Sequence, residues 1–311
     1  MDVSVLVISF NTRDLTLACL DSVFRETKGI GFEVIVVDNA SRDGSAEAIS
    51  ERFPQIKLVA SEQNLGFAKA NNMAAQDARG DFLLLLNSDT VILDGAIQKA
   101  VAFARSRPDA DIVGGRTFFE NLSLNRTSCH GRPTPWSLFC MGVGVSSVFR
   151  RSRVFNPEGL GAWQRDTVGE VDVVTGCFLL IKRELWDRLN GFDESFFMYG
   201  EDTDLCVRAR DLGGRCFVCP DARLIHYGGQ SEAVRADKMV RPDRAKVQLF
   251  EKHWSPVMVP FGVAMLKLMA LTRKMAWVGA GLAGKGRPAA VQAWRDIWRR
   301  RGEYSLPARR L

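Results

Sequence analysis

The sequence is short of the features that mark several large protein classes. No strand-like run is followed by G-x-G-x-x-G, and G-x-x-x-x-G-K-S/T does not occur, which leaves dinucleotide and P-loop readings without support. G-x-S-x-G is absent too, and with it the nucleophile elbow of many hydrolases. The single C-x-x-C, Cys216-Phe217-Val218-Cys219, has no second pair and no nearby histidines, which argues against a zinc or redox centre. Seven scattered cysteines, an odd number, argue against a disulfide framework and for reduced, mostly buried thiols. Long apolar runs are also lacking. Residues 256–278 are interrupted by Lys267, Arg273 and Lys274, and the unbroken piece 256–266 falls short of the roughly 20 residues a bilayer span needs. The first residues, Met1-Asp2-Val3-Ser4, lack a basic n-region, so no signal peptide is expected. A cytoplasmic catalytic body follows as the expectation.

What is present is ordinary folded-protein material: 46% hydrophobic and 25% charged residues over 311 positions, enough for one large α/β domain or two smaller ones. The net charge of +6 hides an asymmetry. From Ala236 onward there are 16 Lys/Arg against 5 Asp/Glu, so the preceding body carries about −5. A mildly acidic body with a basic tail points to an anionic surface met by the tail, not to a nucleic-acid-binding core.

Along the chain, residues 3–10, 32–37, 56–60 and 81–86 read as apolar strands, with 111–115 a fifth. Helices are expected between them, after an N-cap at Asn11 or Thr12, after Gly44-Ser45, over 65–77 and over 93–105. This alternation predicts a mainly parallel twisted sheet flanked by helices, with ligands beyond the strands' carboxyl ends. Asn11, Asp38, Asn87 and Asp89 fall at that edge. Residues 117–170 lose the rhythm and read as a long surface segment that shapes an acceptor site. Residues 171–181 are strand-like but interrupted by Gly176; 184–189 form a short helix closing at Asn190-Gly191; 201–212 form another, stopped by Gly213-Gly214. In the tail, Trp294, Ile297 and Trp298 share a helical face among arginines, the favoured reading being a helix in a membrane interface and the alternative a terminal helix docked on the protein with a solvated basic end. The expected divisions are 1–116, 117–235 and 236–311, the last a helical, membrane-associated tail.

Two acidic clusters carry the chemistry. Asn87-Ser88-Asp89 closes an apolar run, and a divalent cation on a diphosphate often takes only one or two protein ligands. The same residues also suit a turn or helix cap. Gly200-Glu201-Asp202 opens a helix, where carboxylates are stabilised without any catalysis. Phe192, Phe196, Phe197 and Tyr199 surround that pair with apolar surface, which raises a carboxylate pKa toward a general base's range. His226, before Gly228 and Gly229, reads equally as a structural residue or as a metal or phosphate contact. Arg223, Arg235, Arg241 and Arg244 are candidates to neutralise a leaving diphosphate, with a solvated basic face as the default.

These segments, in this order, resemble the family 2 glycosyltransferases with a GT-A fold. The matching stretches are Val5-Leu6-Val7-Ile8-Ser9-Phe10-Asn11, Val36-Val37-Asp38-Asn39-Ala40-Ser41 with Asp43-Gly44-Ser45, and Asn64-Leu65-Gly66-Phe67-Ala68 with Asn71-Asn72. Leu84-Leu85-Leu86-Asn87-Ser88-Asp89-Thr90 and Thr175-Gly176-Cys177-Phe178 follow, then Gly191-Phe192-Asp193-Glu194, Glu201-Asp202 with Asp204-Leu205 and Arg208, and His226 with Ser231. The match runs from residue 3 to about 232 and looks most like the rhamnosyltransferase branch, which builds bacterial cell-surface glycans. The resemblance implies an inverting enzyme moving rhamnose from dTDP-rhamnose onto a glycan or lipid-linked glycan, peripheral on the inner face of the cell membrane. It implies that 1–116 is the nucleotide-sugar-binding half and 117–235 the acceptor-binding and catalytic half of the same domain, with Ser9, Asn11, Asp38, Asn64, Asn87, Ser88 and Asp89 at the donor, and Glu201, Gly176 and Tyr199 at the acceptor. Asp89 and His226 would hold Mg²⁺ or Mn²⁺, and Asp202 would be the base. The family's D-x-D stands here as Asn87-x-Asp89, which leaves strict metal dependence open. Nothing separates thymine from uracil, so UDP- and GDP-sugar donors stay open, as does a catalytically silent nucleotide- or glycan-binding module. The oligomeric state is not legible.

Overall fold

Apolar runs with little polar alternation are the signature of strands buried on both faces, and three of them, with a short, partly exposed edge strand, form one side of the sheet. A computed structural model describes residues 1–228, 237–283 and 287–305. Strands β1 (Val3–Ser9), β2 (Phe32–Asp38), β3 (Lys57–Ala60) and β4 (Phe82–Asn87) lie parallel in the order β3-β2-β1-β4. Val5, Val7, Val36, Leu84 and Leu86 point to one face, against α1 (Arg13–Glu26), α2 (Ser45–Arg52) and α4 (Ala96–Ser106). Helix α3 (Gly66–Gln76) packs beside β1 and β2 through Ala70 and Ala74.

The sheet continues differently. After β5 (Thr90–Leu93) and β6 (Ile112–Phe118) come two short strands, β7 (Cys129–His130) and β8 (Gly169–Val171). Then follow β9 (Val173–Val174) and β10 (Phe178–Lys182), which runs antiparallel to both β4 and β6. The last strand, β11, is long (Cys216–His226), parallel to β6 and antiparallel to β5. The sheet is therefore parallel through its first half and mixed in its second. Helices α7 (Arg183–Leu189) and α8 (Glu201–Asp211) precede β11. Asn190 (φ 55°) and Gly191 (φ 67°) end α7 in left-handed geometry, as the Asn-Gly pair leads one to expect.

Met1–His130 with Trp163–Ser231 form one compact unit, and Gly131–Ala162 with Glu232–Leu311 form a second. Residues 131–162, expected in the catalytic half, thus group with the tail. The second unit holds α5 (Pro135–Gly142), α6 (Val145–Val148), α9 (Asp237–His253), α10 (Val259–Leu282) and α11 (Pro288–Arg299). Its core joins Leu138 to Phe250, Val263, Leu266, Ile297 and Tyr304. Phe250 and Trp254 stack at 4.1 Å, and both rings come within 2.8 Å of where a Cβ on Gly262 would stand. The tail's aromatic face is core: Ile297 is buried and Trp294 and Trp298 rest half-buried on the same cluster, with Lys274 and Arg301 over the Trp298 ring. That face, expected in a membrane interface, is occupied by protein. Among the described residues no helix is long and apolar enough to cross a membrane.

All seven cysteines are buried free thiols, Cys216 and Cys219 within β11. Leu84, fully buried in β4 between β1 and β10, tests the sheet core. Leu84→Ala is expected to lower stability by about 3 kcal/mol, read as a fall in the thermal midpoint followed by circular dichroism.

Candidate active site

The site is assembled by strand ends. At the end of β4 the chain turns through Ser88 and Asp89 and returns as β5, whose Thr90 sits opposite His226 of β11. This return brings Asp89 and His226 together across 136 intervening positions of sequence. His226 Nε2 lies 3.2 Å from Asp89 Oδ1 and 3.4 Å from Asn87 Nδ2. The Gly228 N–H donates to Asp89 Oδ2 at 3.0 Å, and the Tyr227 N–H to the Asp89 carbonyl at 3.0 Å. Gly228 has φ +69°, a conformation that costs glycine nothing. Burial works against a charged His226, but the Cys177 sulfur and the Asp89 carboxylate outweigh it, and its pKa is pushed up to about 10. His226 Nδ1 is buried without a partner.

A short relay links this pair to the second acidic cluster. The Asn87 N–H donates to the Cys177 carbonyl at 3.2 Å, and the adjacent Gly176 N–H donates to Asp202 Oδ2 at 3.3 Å. Gly176 has a packing reason: a Cβ there would stand 2.9 Å from the Phe67 ring. Asp202 sits in the first turn of α8, its Oδ1 accepting the Thr203 N–H at 2.6 Å. Tyr199 (φ 70°) and Gly200 (φ 87°) turn the chain sharply into that helix. Glu201 is buried, and burial, reinforced by the Asp202 charge, raises its pKa well above the ordinary range. Asp204 is fully buried and pairs with Arg208 at 2.7 Å. Arg208 also donates to the Leu189 and Gly191 carbonyls, so it locks α8 to the end of α7.

The remaining expectations divide. The Asp38 carboxylate is buried, with Oδ1 accepting the Ser41 N–H at 2.9 Å and Oδ2 left without a partner. Asn11, at φ 52°, bridges to the β2 loop by accepting the Arg42 N–H and donating its own N–H to Ser41 Oγ. Asn64 accepts from Asn39 Nδ2 at 3.0 Å and from the Gly66 N–H at 2.9 Å. The Ser9 and Ser88 hydroxyls, expected at the donor, are buried in a chain, Ser9–Thr16–Thr12–Ser88, with 3.1 Å links. The Glu201 carboxyl, expected at the acceptor, is enclosed. Tyr199 is half-buried. Arg223 pairs with Asp94 at 3.2 Å; Arg241 and Arg244 belong to the second unit; Gly229, Ser231 and Arg235 lie outside the described residues.

Two asparagines went unassigned in the sequence. Asn39 accepts the Leu65 N–H and donates to the Gly66 carbonyl. Asn72 accepts the Phe192 N–H and donates to the Phe192 carbonyl and to Glu194. Their presence in matching stretches was the available signal. The Phe67 N–H also donates to the Phe197 carbonyl at 2.8 Å, and a Cβ on Gly66 would stand 2.3 Å from that oxygen. Among the described residues, no group of three His, Cys, Asp or Glu side chains is placed to hold a metal.

A parallel half joined to a mixed half carrying the acidic helix is the GT-A architecture. The fold matches mannosyltransferase PcManGT from Pyrobaculum calidifontis in complex with GDP-Man and Mn²⁺, with TM-score 0.57 and 21% identity, over 97% of this chain and 84% of that one. Residues 4–188, more than half of the chain, match Glycosyl transferase family 2, and residues 166–236 match the N-terminal domain of galactosyltransferase. The chain belongs to glycosyl transferase family 2. The O-antigen biosynthesis protein RfbC of Myxococcus xanthus is 27% identical over 250 residues, 78% of this chain but 18% of RfbC, so the chain spans a small part of that relative. An N-acetylglucosaminyl-diphospho-decaprenol L-rhamnosyltransferase of Mycobacterium tuberculosis is 27% identical over 219 residues, 64% of this chain and 67% of that protein.

The buried Glu201 carboxyl sets a pH dependence. Its folded pKa lies above its unfolded value, so its contribution is full below the ordinary carboxylate range and drains as pH rises through it. Glu201→Gln is expected to gain on the wild type in thermal midpoint from about pH 5 to about pH 8. A difference that stayed flat with pH would show that Glu201 ionises freely in the folded protein.

Proposed function

We propose that this glycosyltransferase moves a sugar from a nucleotide diphosphate onto a glycan hydroxyl with inversion, Asp202 acting as base. The observation that carries the reading is the relay from Asp89–His226 through Asn87, Cys177 and Gly176 to Asp202. It holds a carboxylate for the acceptor beside a polar cluster suited to a diphosphate. Asp202 takes the acceptor proton while the hydroxyl oxygen attacks the anomeric carbon from the side opposite the diphosphate. The carbon–oxygen bond to the diphosphate breaks, and its electron pair leaves with the nucleotide. The Gly176 N–H orients Asp202, and fixed geometry of this kind supplies much of the acceleration.

At the base, the unpartnered Asp38 Oδ2 calls for an N–H donor, which the imide of thymine or uracil provides. For a cation, Asp89 and His226 would supply two ligands, a number that suits a diphosphate-bound Mg²⁺ or Mn²⁺ completed by phosphate and water. Such a cation, when bound, offsets negative charge on the leaving group. Rhamnose from dTDP-rhamnose is the donor we favour, supported by relatives named rhamnosyltransferases at 25–27% identity. The GDP-Man complex of the mannosyltransferase supports a GDP- or UDP-sugar as the second reading. The decaprenol-linked name of the mycobacterial relative supports a lipid-linked glycan acceptor and, with it, a peripheral position on the inner face of the cell membrane as part of the same reading.

Nucleotide-sugars tested by thermal shift and slow hydrolysis, with and without Mg²⁺ or Mn²⁺, separate these donors. Stabilisation by dTDP-rhamnose that grows with metal is expected; a stronger response to a UDP- or GDP-sugar would replace the donor. Asp202→Asn is expected to lower turnover about 10²- to 10⁴-fold while the donor's thermal shift persists. Retained turnover in that variant would remove Asp202 from the role of base.

A further inference from the structure

The second unit carries an apolar surface that its own core does not use. Within residues 131–157, Trp136, Phe139, Val143, Val148, Phe149, Val154 and Phe155 are all exposed, Val148 at 76%, Phe149 at 53% and Trp136 at 47%. The rings touch one another: Trp136 stacks on Phe139 at 5.7 Å and meets Phe155 at 6.4 Å, and Phe149 meets Phe155 at 5.3 Å. This is one cluster, held in shape by the Trp136 indole N–H donating to the Val154 carbonyl at 2.7 Å. Contiguous exposed apolar clusters mark interaction surfaces, where scattered apolar residues do not.

Its charge selects the partner. Residues 131–157 contain four arginines and no Asp or Glu, and Arg150, Arg151 and Arg153 are exposed beside the rings. The nearest acid in sequence, Glu158, is turned to Ser137 Oγ at 2.7 Å and Lys246 at 3.5 Å. Aromatic side chains rimmed by arginines match the bilayer boundary, where rings settle at headgroup depth and guanidinium groups meet lipid phosphates. We infer that residues 136–155 form a docking surface for an anionic lipid bilayer. For its purpose, delivery to a lipid-linked acceptor, the inference rests on the reading above; its surface chemistry stands independently.

The test is co-sedimentation of the full chain with phosphatidylglycerol-containing vesicles and with pure phosphatidylcholine vesicles. Binding to the anionic vesicles, weakening as salt rises, is expected. Arg151→Glu with Arg153→Glu, and separately Val148→Ser with Val154→Ser, are expected to weaken it at least roughly tenfold. Arg295→Glu with Arg299→Glu on α11 is expected to leave it within about twofold. Circular dichroism and the donor's thermal shift check that each variant is folded. No vesicle binding, binding indifferent to both patch variants, or binding lost only in the α11 variant would overturn the inference. So would a dimer in gel filtration that the Val148/Val154 variant dissolves, since the surface would then belong to a second copy. Donor response that persists without vesicle binding removes the docking surface alone, whereas loss of donor response strikes the transferase reading instead.

Discussion

The antiparallel pairing of β5 with the end of β11 is the constraint on which the site depends. Without it, Asp89 would close a turn at the end of β4 and His226 would end a strand elsewhere. Four residues of return strand, Thr90–Leu93, fix the register that sets an imidazole against a carboxylate. The Gly228 N–H then holds the carboxylate from its other side, and the Tyr227 N–H holds the Asp89 backbone carbonyl. Strand pairing is a strong way to do this because a slip of one residue turns every side chain to the opposite face. Here such a slip would separate the pair altogether.

Around that pairing, polar side chains are spent on shape. Asn39, Asn64 and Asn72 bind backbone groups of loops that have no ladder of their own. The Asp204–Arg208 pair ties α8 to the close of α7. Buried polar groups are tolerated only when their partners are supplied, so each of these contacts both satisfies and specifies. Asp38 Oδ2 and His226 Nδ1, with partners missing, stand out against that background.

Much of the architecture was legible. Continuous apolar runs identified β1, β2 and β4 because strands buried on both faces leave no room for polar alternation. The return strand β5 was not, since Val91-Ile92-Leu93 merges with the apolar pattern of the helix that follows. Strand β11 was hidden by Pro220-Asp221 at its middle, where its pairing with β6 shifts register between Cys219 and Arg223. Residues 131–162 showed no period because their core partners lie far along the chain in α9 and α10. In the site, the two acidic clusters were legible as clusters, while the burial of the Ser9 and Ser88 hydroxyls was not. A serine hydroxyl's direction is decided by what packs over it, here Thr12 and Thr16 of the α1 segment. The same limit applied to Trp294, Ile297 and Trp298, whose periodic face suits a membrane and a protein core equally.

The bond from the Phe67 N–H to the Phe197 carbonyl carries a consequence for how such a protein can diverge. It joins main chain to main chain, and its closeness is guarded by Gly66, which has no side chain to lose or gain. The path of the loop at Phe197 is therefore held by main chain and not by the Phe197 side chain. The Phe197 side chain, 55% exposed, is meanwhile free to be exchanged. A lineage built on this frame can alter what the loop meets while leaving where it runs untouched, so novelty at the rim of the site need not disturb its floor.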